Sequence, residues 1–192
     1  GAGLICRHSY FLKEEKMKAT EQLVQEHEGI MLMLNIMSKV ADKIDKTQVL
    51  NKEHTKKILE FLKTFADKCH HGKEEDILFP VLESKGIPRE KGPIGVMLYE
   101  HKVGRGFIKD MSEAFDKYKT GDKTALPKIS NSMRSYINLL TGHIHKENNI
   151  LFPMGDIVLS DELQSELLEK FEKLEVEKIG ICKHEEFHAL LN

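Results

Sequence analysis

Apolar residues recur every three or four positions along most of this chain, with polar residues between them. In the first such stretch, His27 lies on the apolar face, four positions after Leu23 and three before Ile30. This period is that of one face of an α-helix, and no stretch keeps the alternation typical of a strand. The pattern predicts four long helices and a shorter fifth, at about residues 20–44, 49–81, 93–121, 122–155 and 160–174.

Prolines and a serine mark where we expect several of these helices to begin and end. Pro93 suits a first helical turn, and Ser160 suits the N-terminal cap of the fifth helix. Pro80 and then the stretch at residues 84–88 are predicted to end the second helix, and Pro153 with Gly155 the fourth, because proline removes a backbone hydrogen bond inside a helix. The connections between the four long helices are short, which favours an antiparallel up-down bundle.

The predicted architecture is therefore all-α, an antiparallel up-down four-helix bundle with an additional C-terminal helix and tail. We divide the chain into an N-terminal extension (1–19), the bundle (20–155) and the C-terminal helix and tail (156–192). Whether the extension is native throughout stays open, because Met17 is an alternative start.

Length and composition are those of an ordinary globular protein. The 192 residues suffice for one domain with its own core, and 40% of them are apolar. The net charge is −2 with acids and bases interspersed, so no nucleic-acid partner is predicted. No apolar run is long enough to cross a membrane. Three cysteines (Cys6, Cys69 and Cys182) without metal-type spacing favour a reducing, cytoplasmic location.

One eleven-residue segment occurs twice in the chain. Residues 70–80 read HHGKEEDILFP and residues 143–153 read HIHKENNILFP, with seven of eleven positions identical. Each copy has a His and, four positions later, a Glu (His70 and Glu74, His143 and Glu147). A helix places such a pair on one face, where the imidazole and the carboxylate can bind one metal site.

The repeat extends upstream of these segments. The pairs Glu26-His27 and Glu100-His101 precede the two copies, and 43 residues separate His27 from His70 while 42 separate His101 from His143. The repeating unit is therefore a helical hairpin with one His on its first arm and a His and a Glu on its second. An up-down bundle brings both units to one level, toward one end of the bundle.

This donor set predicts a metal centre. It has four imidazoles and two carboxylates with no thiolate, a combination that suits iron or manganese better than structural zinc or Cu(I). Each carboxylate can bridge two metal ions, which leaves two histidines for each ion. The predicted metal ligands are His27, His70, Glu74, His101, His143 and Glu147.

Other residues near the repeats have more than one interpretation. Glu26 and Glu100 either hold an imidazole N–H, or serve as spare ligands, or are solvated helix charges. Tyr136 lies on the face of His143, and we expect a core tyrosine in preference to a hydrogen-bond donor to a bound ligand.

Five further positions are not expected to be ligands of the centre. His71 and His145 lie off the apolar face and are predicted to be solvated, whereas Cys69 is predicted to be buried packing. His184 and His188 form an i,i+4 pair in the tail, for which a surface or packing role is preferred over a second metal site.

At residues 20–155 the sequence resembles the hemerythrin-like (HHE cation-binding) family. The features that carry the resemblance are His27, His70-x-x-x-Glu74 before ILFP, Glu100-His101 and His143-x-x-x-Glu147 before ILFP. The resemblance implies a non-heme centre of two iron ions in a four-helix bundle, with an oxo or hydroxo bridge. It makes the four histidines terminal ligands and the two glutamates bridges.

One position departs from the oxygen-carrying members of that family. They have a fifth His one turn after the ligand on the third helix, and here that position is Arg105. A guanidinium does not bind metal, so one iron is expected to have an open position or to borrow Glu100. The four-His, two-Glu set is similar to that of iron-sulfur cluster repair proteins that respond to nitric oxide. Those have a Cys-containing N-terminal domain, for which residues 1–19 are too short.

Three functional hypotheses follow, and whether the protein is an enzyme stays open. The first is a di-iron protein that binds or reduces O2, NO or peroxide in the bundle core. The second is an iron donor that repairs iron-sulfur clusters under nitrosative or oxidative stress. The third is a sensor or interaction module in which the metal state moves the C-terminal helix and tail.

Overall fold

The computed structural model of the protein describes residues 17–178 and residue 180. The predicted extension up to residue 16, two of the three cysteines and the His184–His188 pair lie outside the described residues. Within the described part of the chain, no helix is both long enough and apolar enough to cross a membrane.

Five long helical segments make up the described chain, which confirms the all-α prediction. They are α1 (Ala19–Thr47), α2 (residues 52–84), α3 (Pro93–Lys119), α4 (residues 126–158) and α5 (Asp161–Lys178). Helix α2 runs through the segments Lys52–Phe61, Leu62–His71, Glu74–Leu78 and Phe79–Ser84. Helix α4 runs through Leu126–Lys146, Glu147–Leu151 and Phe152–Val158, after a short 3-10 turn at Lys123–Ala125. No strand occurs among residues 17–178.

The first four of these helices form the predicted antiparallel bundle. Helix α4 packs against α1 and α3, and α2 packs against α1 and α3. The connecting segments are short enough that neighbouring helices run in opposite directions. Helix α5 packs against α1 and α2, so that it adds a layer to the first hairpin.

The two ends of the bundle have separate apolar cores, and the predicted ligands lie at the level between them. Along α1, Leu23 belongs to the smaller cluster and Ile30 to the larger one, with His27 between them. Along α2, Ala66 belongs to the larger cluster and Leu78 to the smaller one. Water is therefore excluded from both sides of this level.

The second helix ends at Ser84, in the predicted stretch at residues 84–88, but Pro80 and Pro153 do not end their helices, so that part of the prediction was wrong. Each proline follows a π-helical turn, Glu74–Leu78 or Glu147–Leu151, and the helix continues to Ser84 or Val158. In these turns the N–H of Phe79 donates to the carbonyl of Glu74, and that of Phe152 donates to the carbonyl of Glu147. A π turn holds one extra residue, which gives room for a proline ring that would otherwise clash with a carbonyl.

The other predicted helix boundaries agree with the structure. Pro93 is the first residue of α3. Ser160 precedes α5, and its Oγ accepts the N–H of Leu163 at 3.4 Å. Helix α5 then buries Leu167 and Phe171 in the smaller apolar cluster.

Replacing Phe171 by Ala is expected to weaken the docking of α5. Phe171 is fully buried, so its removal should lower the free energy of unfolding by about 3–5 kcal/mol. Ile157→Ala is the control, since Ile157 is 85% exposed and its removal should change stability by less than about 0.5 kcal/mol. Urea unfolding followed by circular dichroism measures both, and equal effects would show that α5 is not packed as described.

Candidate metal centre

All six predicted ligands come together at one level of the bundle. One side chain comes from α1, two from α2, one from α3 and two from α4. Their exposed fractions are all 2% or less. The structure brings them into two overlapping groups that could each hold a metal ion, with Glu74 in both. That they bind metal stays a prediction.

The four imidazoles form two pairs, each built from one hairpin. The Nε2 atoms of His27 and His70 are 2.9 Å apart, and those of His101 and His143 are 3.0 Å apart. Each hairpin therefore offers two imidazole nitrogens, one from each of its arms, to one candidate metal position.

Glu74 lies between the two pairs. Its Oε1 is 3.4 Å from Nε2 of His70, and its Oε2 is 3.4 Å from Nε2 of His101. One carboxylate oxygen thus faces each imidazole pair, as a bridge between two metal ions requires.

Glu147 approaches both pairs from the opposite hairpin. Its Oε2 is 3.2 Å from Nε2 of His27 and 3.2 Å from Nε2 of His143. The second carboxylate is therefore also placed between the two positions, and the two glutamates enclose the space between the imidazole pairs.

Two of the imidazoles are oriented by glutamates of their own hairpin. The Nδ1–H of His70 donates to Oε2 of Glu26 at 2.8 Å. The Nδ1–H of His143 donates to Oε2 of Glu100 at 3.0 Å. Of the alternatives for Glu26 and Glu100, the structure therefore supports the holding of an imidazole N–H. Neither is placed as a spare ligand.

The other two imidazoles are oriented across the hairpins. His27 donates from Nδ1 to Oδ1 of Asn148 at 2.7 Å. His101 donates from Nδ1 to Oε1 of Glu75 at 2.6 Å. Asn148 and Glu75 each follow a predicted bridging glutamate by one position, so the repeat supplies both contacts. Neither residue has a predicted role from the sequence, although their matching repeat positions were a usable signal.

These hydrogen bonds decide what the centre can bind. Because every Nδ1 donates its proton to an oxygen, each Nε2 carries a lone pair, and all four lone pairs face the centre. Both carboxylate oxygens of Glu74 and of Glu147 are buried without a hydrogen-bond partner. Buried acceptors facing one another are unfavourable unless a cation lies between them. The donors therefore fit two metal cations, with two imidazoles at each.

Without metal, protons take the place of cations. Burial lowers the pKa of His143, but the carboxylates of Glu147 and Glu100 outweigh burial and raise it to about 10. Burial raises the pKa of Glu147, but His143 and His27 outweigh burial and hold that pKa well below its usual value. A metal ion must displace the imidazole proton, so metal binding should tighten as pH rises.

His71 is buried, so the prediction that it is solvated was wrong. It is only 2% exposed, whereas His145 is exposed as predicted and Cys69 is fully buried as predicted. The segment Leu62–His71 is π-helical, and a π-helix turns less per residue than an α-helix. His70 and His71 can therefore both face the bundle interior, which an α-helical pattern does not anticipate.

Tyr136 packs in the larger apolar cluster, which confirms the preferred interpretation of a core tyrosine. Its hydroxyl is buried without a hydrogen-bond partner, and burial raises its pKa. A role in binding a small ligand stays a prediction.

The lysine that recurs in the repeat has different surroundings in its two copies. Lys73 is fully buried, and its Nζ contacts both Glu26 and Glu175 of α5. Lys146 contacts Glu100 in the same way but is 36% exposed, and it has no contact to α5 of the kind that Glu175 gives Lys73 among the described residues. The first copy thus connects α5 to the imidazole of His70 through two ionic contacts.

The fold and the donor set define a metal-binding four-helix bundle. The family model of the hemerythrin HHE cation binding domain matches residues 18–155. The chain therefore belongs to the hemerythrin HHE family, as the sequence motifs predict.

Curated relatives cover only part of the chain. An iron-sulfur cluster repair protein YtfE of Edwardsiella ictaluri is 36% identical over 92 residues, which is 46% of this chain and 42% of the relative. A YtfE of Dickeya chrysanthemi is 37% identical over 93 residues, 44% of this chain and 39% of the relative. The chain thus spans about two fifths of the length of these relatives. No solved structure matches the chain significantly.

The metal-free protein should lose stability in acid through Glu26. Burial raises the pKa of Glu26, but Lys73 and His70 outweigh burial and lower it from 4.5 to about 2. A lowered folded-state pKa gives stability that is present above pH 4.5 and lost as pH falls toward 2. Glu26→Gln should therefore cost on the order of 3 kcal/mol near neutral pH, and the difference from wild type should shrink in acid.

Urea unfolding of the metal-free proteins between pH 7 and pH 3 measures this difference. Glu28→Gln is the matched control, because Glu28 is exposed on the same helix. A difference between wild type and Glu26→Gln that stays constant with pH would contradict the assignment.

Proposed function

We propose that this protein holds two non-heme iron ions and uses them to bind or reduce O2, NO or peroxide. One observation carries the proposal. The two imidazole pairs face each other, and the buried carboxylates of Glu74 and Glu147 lie between them. A nitrogen and oxygen donor set of this kind favours iron or manganese, and the HHE family is a cation-binding family. Two iron ions supply an open coordination position and up to two electrons.

Side chains around the predicted ligands orient the donors and shield the open coordination position from water. Glu74 and Glu147 would hold the two ions together with the imidazoles and supply negative charge to them, and the Nδ1 acceptors fix each imidazole ring in one orientation. The Phe152 ring stacks on His27 with centroids 5.7 Å apart, and the Phe79 ring stacks on His101 at 6.0 Å. These apolar walls exclude water and favour small, uncharged ligands.

A surface groove lies next to the residues that contact one of the imidazoles. This groove, of about 330 Å³, lies between α1 and α4 and is lined in part by Asn148 and Phe152. Both residues contact His27. A small molecule in this groove is therefore one side chain away from the predicted ligands.

Repair of iron-sulfur clusters is the second candidate, and the names of the curated relatives favour it. A repair protein must release iron, whereas the six donors here are buried and four of them are held by further hydrogen bonds. Iron release then requires the bundle to open. We therefore place iron retention first and donation second.

Removal of either predicted bridge should empty the centre. Glu74→Ala and Glu147→Ala are each expected to lose most of the bound iron, because a bridging ligand serves both ions. Asp76→Ala is the matched control, since Asp76 is exposed two positions from Glu74. Elemental analysis of the purified proteins gives iron per chain. Full iron content in both Glu variants would contradict the bridging role.

Iron retention and iron donation predict different chelator kinetics. A retained centre should lose iron to a mild chelator no faster than the bundle opens, and its absorption spectrum should change on reduction and on addition of O2, NO or peroxide. Hydrogen exchange of the amides in α1–α4 gives the opening rate. Iron that leaves far faster than this, and that rebuilds a cluster in a damaged iron-sulfur protein, would favour donation.

A further inference from the structure

The second histidine of the His70-His71 pair has no counterpart in the other half of the repeat. The position equivalent to His71 is Ile144, which is buried in the larger apolar cluster. The first hairpin therefore presents an imidazole to the bundle interior where the second presents an aliphatic side chain. The repeat is broken at one interior position beside the predicted metal ligands.

His71 lies against the His101–His143 pair. Its ring stacks on His101 with centroids 3.8 Å apart and planes 17° apart, and its centroid is 5.9 Å from that of His143. One of its ligand atoms lies within 4.8 Å of a ligand atom of Glu74, His101 and His143. This distance lets the donors share one metal ion once the His71 ring turns out of its stacked position, because an imidazole binds metal in the plane of its ring.

Neither ring nitrogen of His71 has a hydrogen-bond partner, although both are buried. Its Nδ1 faces Oδ1 of Asp67 at 3.5 Å, a longer distance than those of the four predicted histidine ligands to their acceptors. In this orientation Nε2 lies on the side of the ring away from Asp67. A buried imidazole with two unused nitrogens is unfavourable unless one of them binds something that the protein itself does not supply.

We propose that His71 is a fifth imidazole ligand, acting through Nε2 on the metal ion held by His101 and His143. This inference rests on the proposed function, because it requires two metal ions in the centre. The two metal positions are then unequal, with three imidazoles at one and two at the other. The open position for a small molecule lies at the ion held by His27 and His70.

Arg105 acts in this arrangement as a positioning residue. Its Nε donates to Oδ1 of Asp67 at 2.7 Å, and its Nη2 donates to Oε1 of Glu75 at 2.7 Å. These are the acceptors that face Nδ1 of His71 and Nδ1 of His101. The residue that stands in place of a histidine on α3 thus orients two imidazoles, one of which comes from α2.

The first test compares the iron-loaded wild type with His71→Ile, which installs the residue of the second repeat. Two unequal iron sites should give two Mössbauer quadrupole doublets of equal area in the wild type. In His71→Ile the doublets should converge, and iron at one position should be lost more readily to a chelator. His145→Ala is the matched control and should leave the spectrum unchanged, because His145 is exposed. An unchanged spectrum in His71→Ile would overturn the proposal.

A second measurement needs no variant, in case His71→Ile does not fold. In the iron-loaded wild type, each bound imidazole should give one solvent-exchangeable, hyperfine-shifted Nδ1–H resonance, identified by nitrogen-15 labelling of histidine. Five such resonances support the fifth ligand. Four resonances with two irons bound overturn the fifth ligand and leave the proposed function standing. A wild type that binds no iron overturns both.

Discussion

The structure depends on placing six polar side chains at one level of an apolar bundle, where hydrogen bonds satisfy only part of their polar groups. Four Nδ1–H groups donate to Glu26, Glu75, Glu100 and Asn148. Those contacts leave four Nε2 lone pairs and two unpartnered carboxylates facing one another between two apolar clusters. Such an arrangement is unfavourable by itself, and cations at its centre make it favourable.

The π-helical turns connect this centre to the backbone. Each predicted bridging glutamate is the first residue of a π turn, and each turn precedes a proline that the helix accommodates. A π turn displaces the following residues around the helix axis, and such turns are frequent at functional sites. In α2, a longer π-helical segment (Leu62–His71) precedes the turn at Glu74 and brings His71 into the interior beside His70. Local winding of α2 therefore determines how many donors this hairpin offers.

The two halves of the repeat have become different in two ways. Helix α5 covers the first hairpin, where Glu175 and Phe171 enclose Lys73, while the equivalent Lys146 is partly exposed. The interior position beside the centre is His71 in one half and Ile144 in the other. A duplicated hairpin explains why the bundle contains two similar sets of donors. These differences give the two sets unequal surroundings.

The sequence by itself determined the helical class, the bundle and the six converging side chains, because helical periodicity and a repeated His-x-x-x-Glu spacing are local properties. The sequence did not predict the burial of His71 or the continuation of the helix after Pro80. Both depend on π-helical turns, which no local sequence pattern predicts. The contacts of Glu75 and Asn148 with imidazoles of the opposite hairpin also required the tertiary structure. They join residues 26 and 121 positions apart along the chain, and only packing decides which helix faces meet.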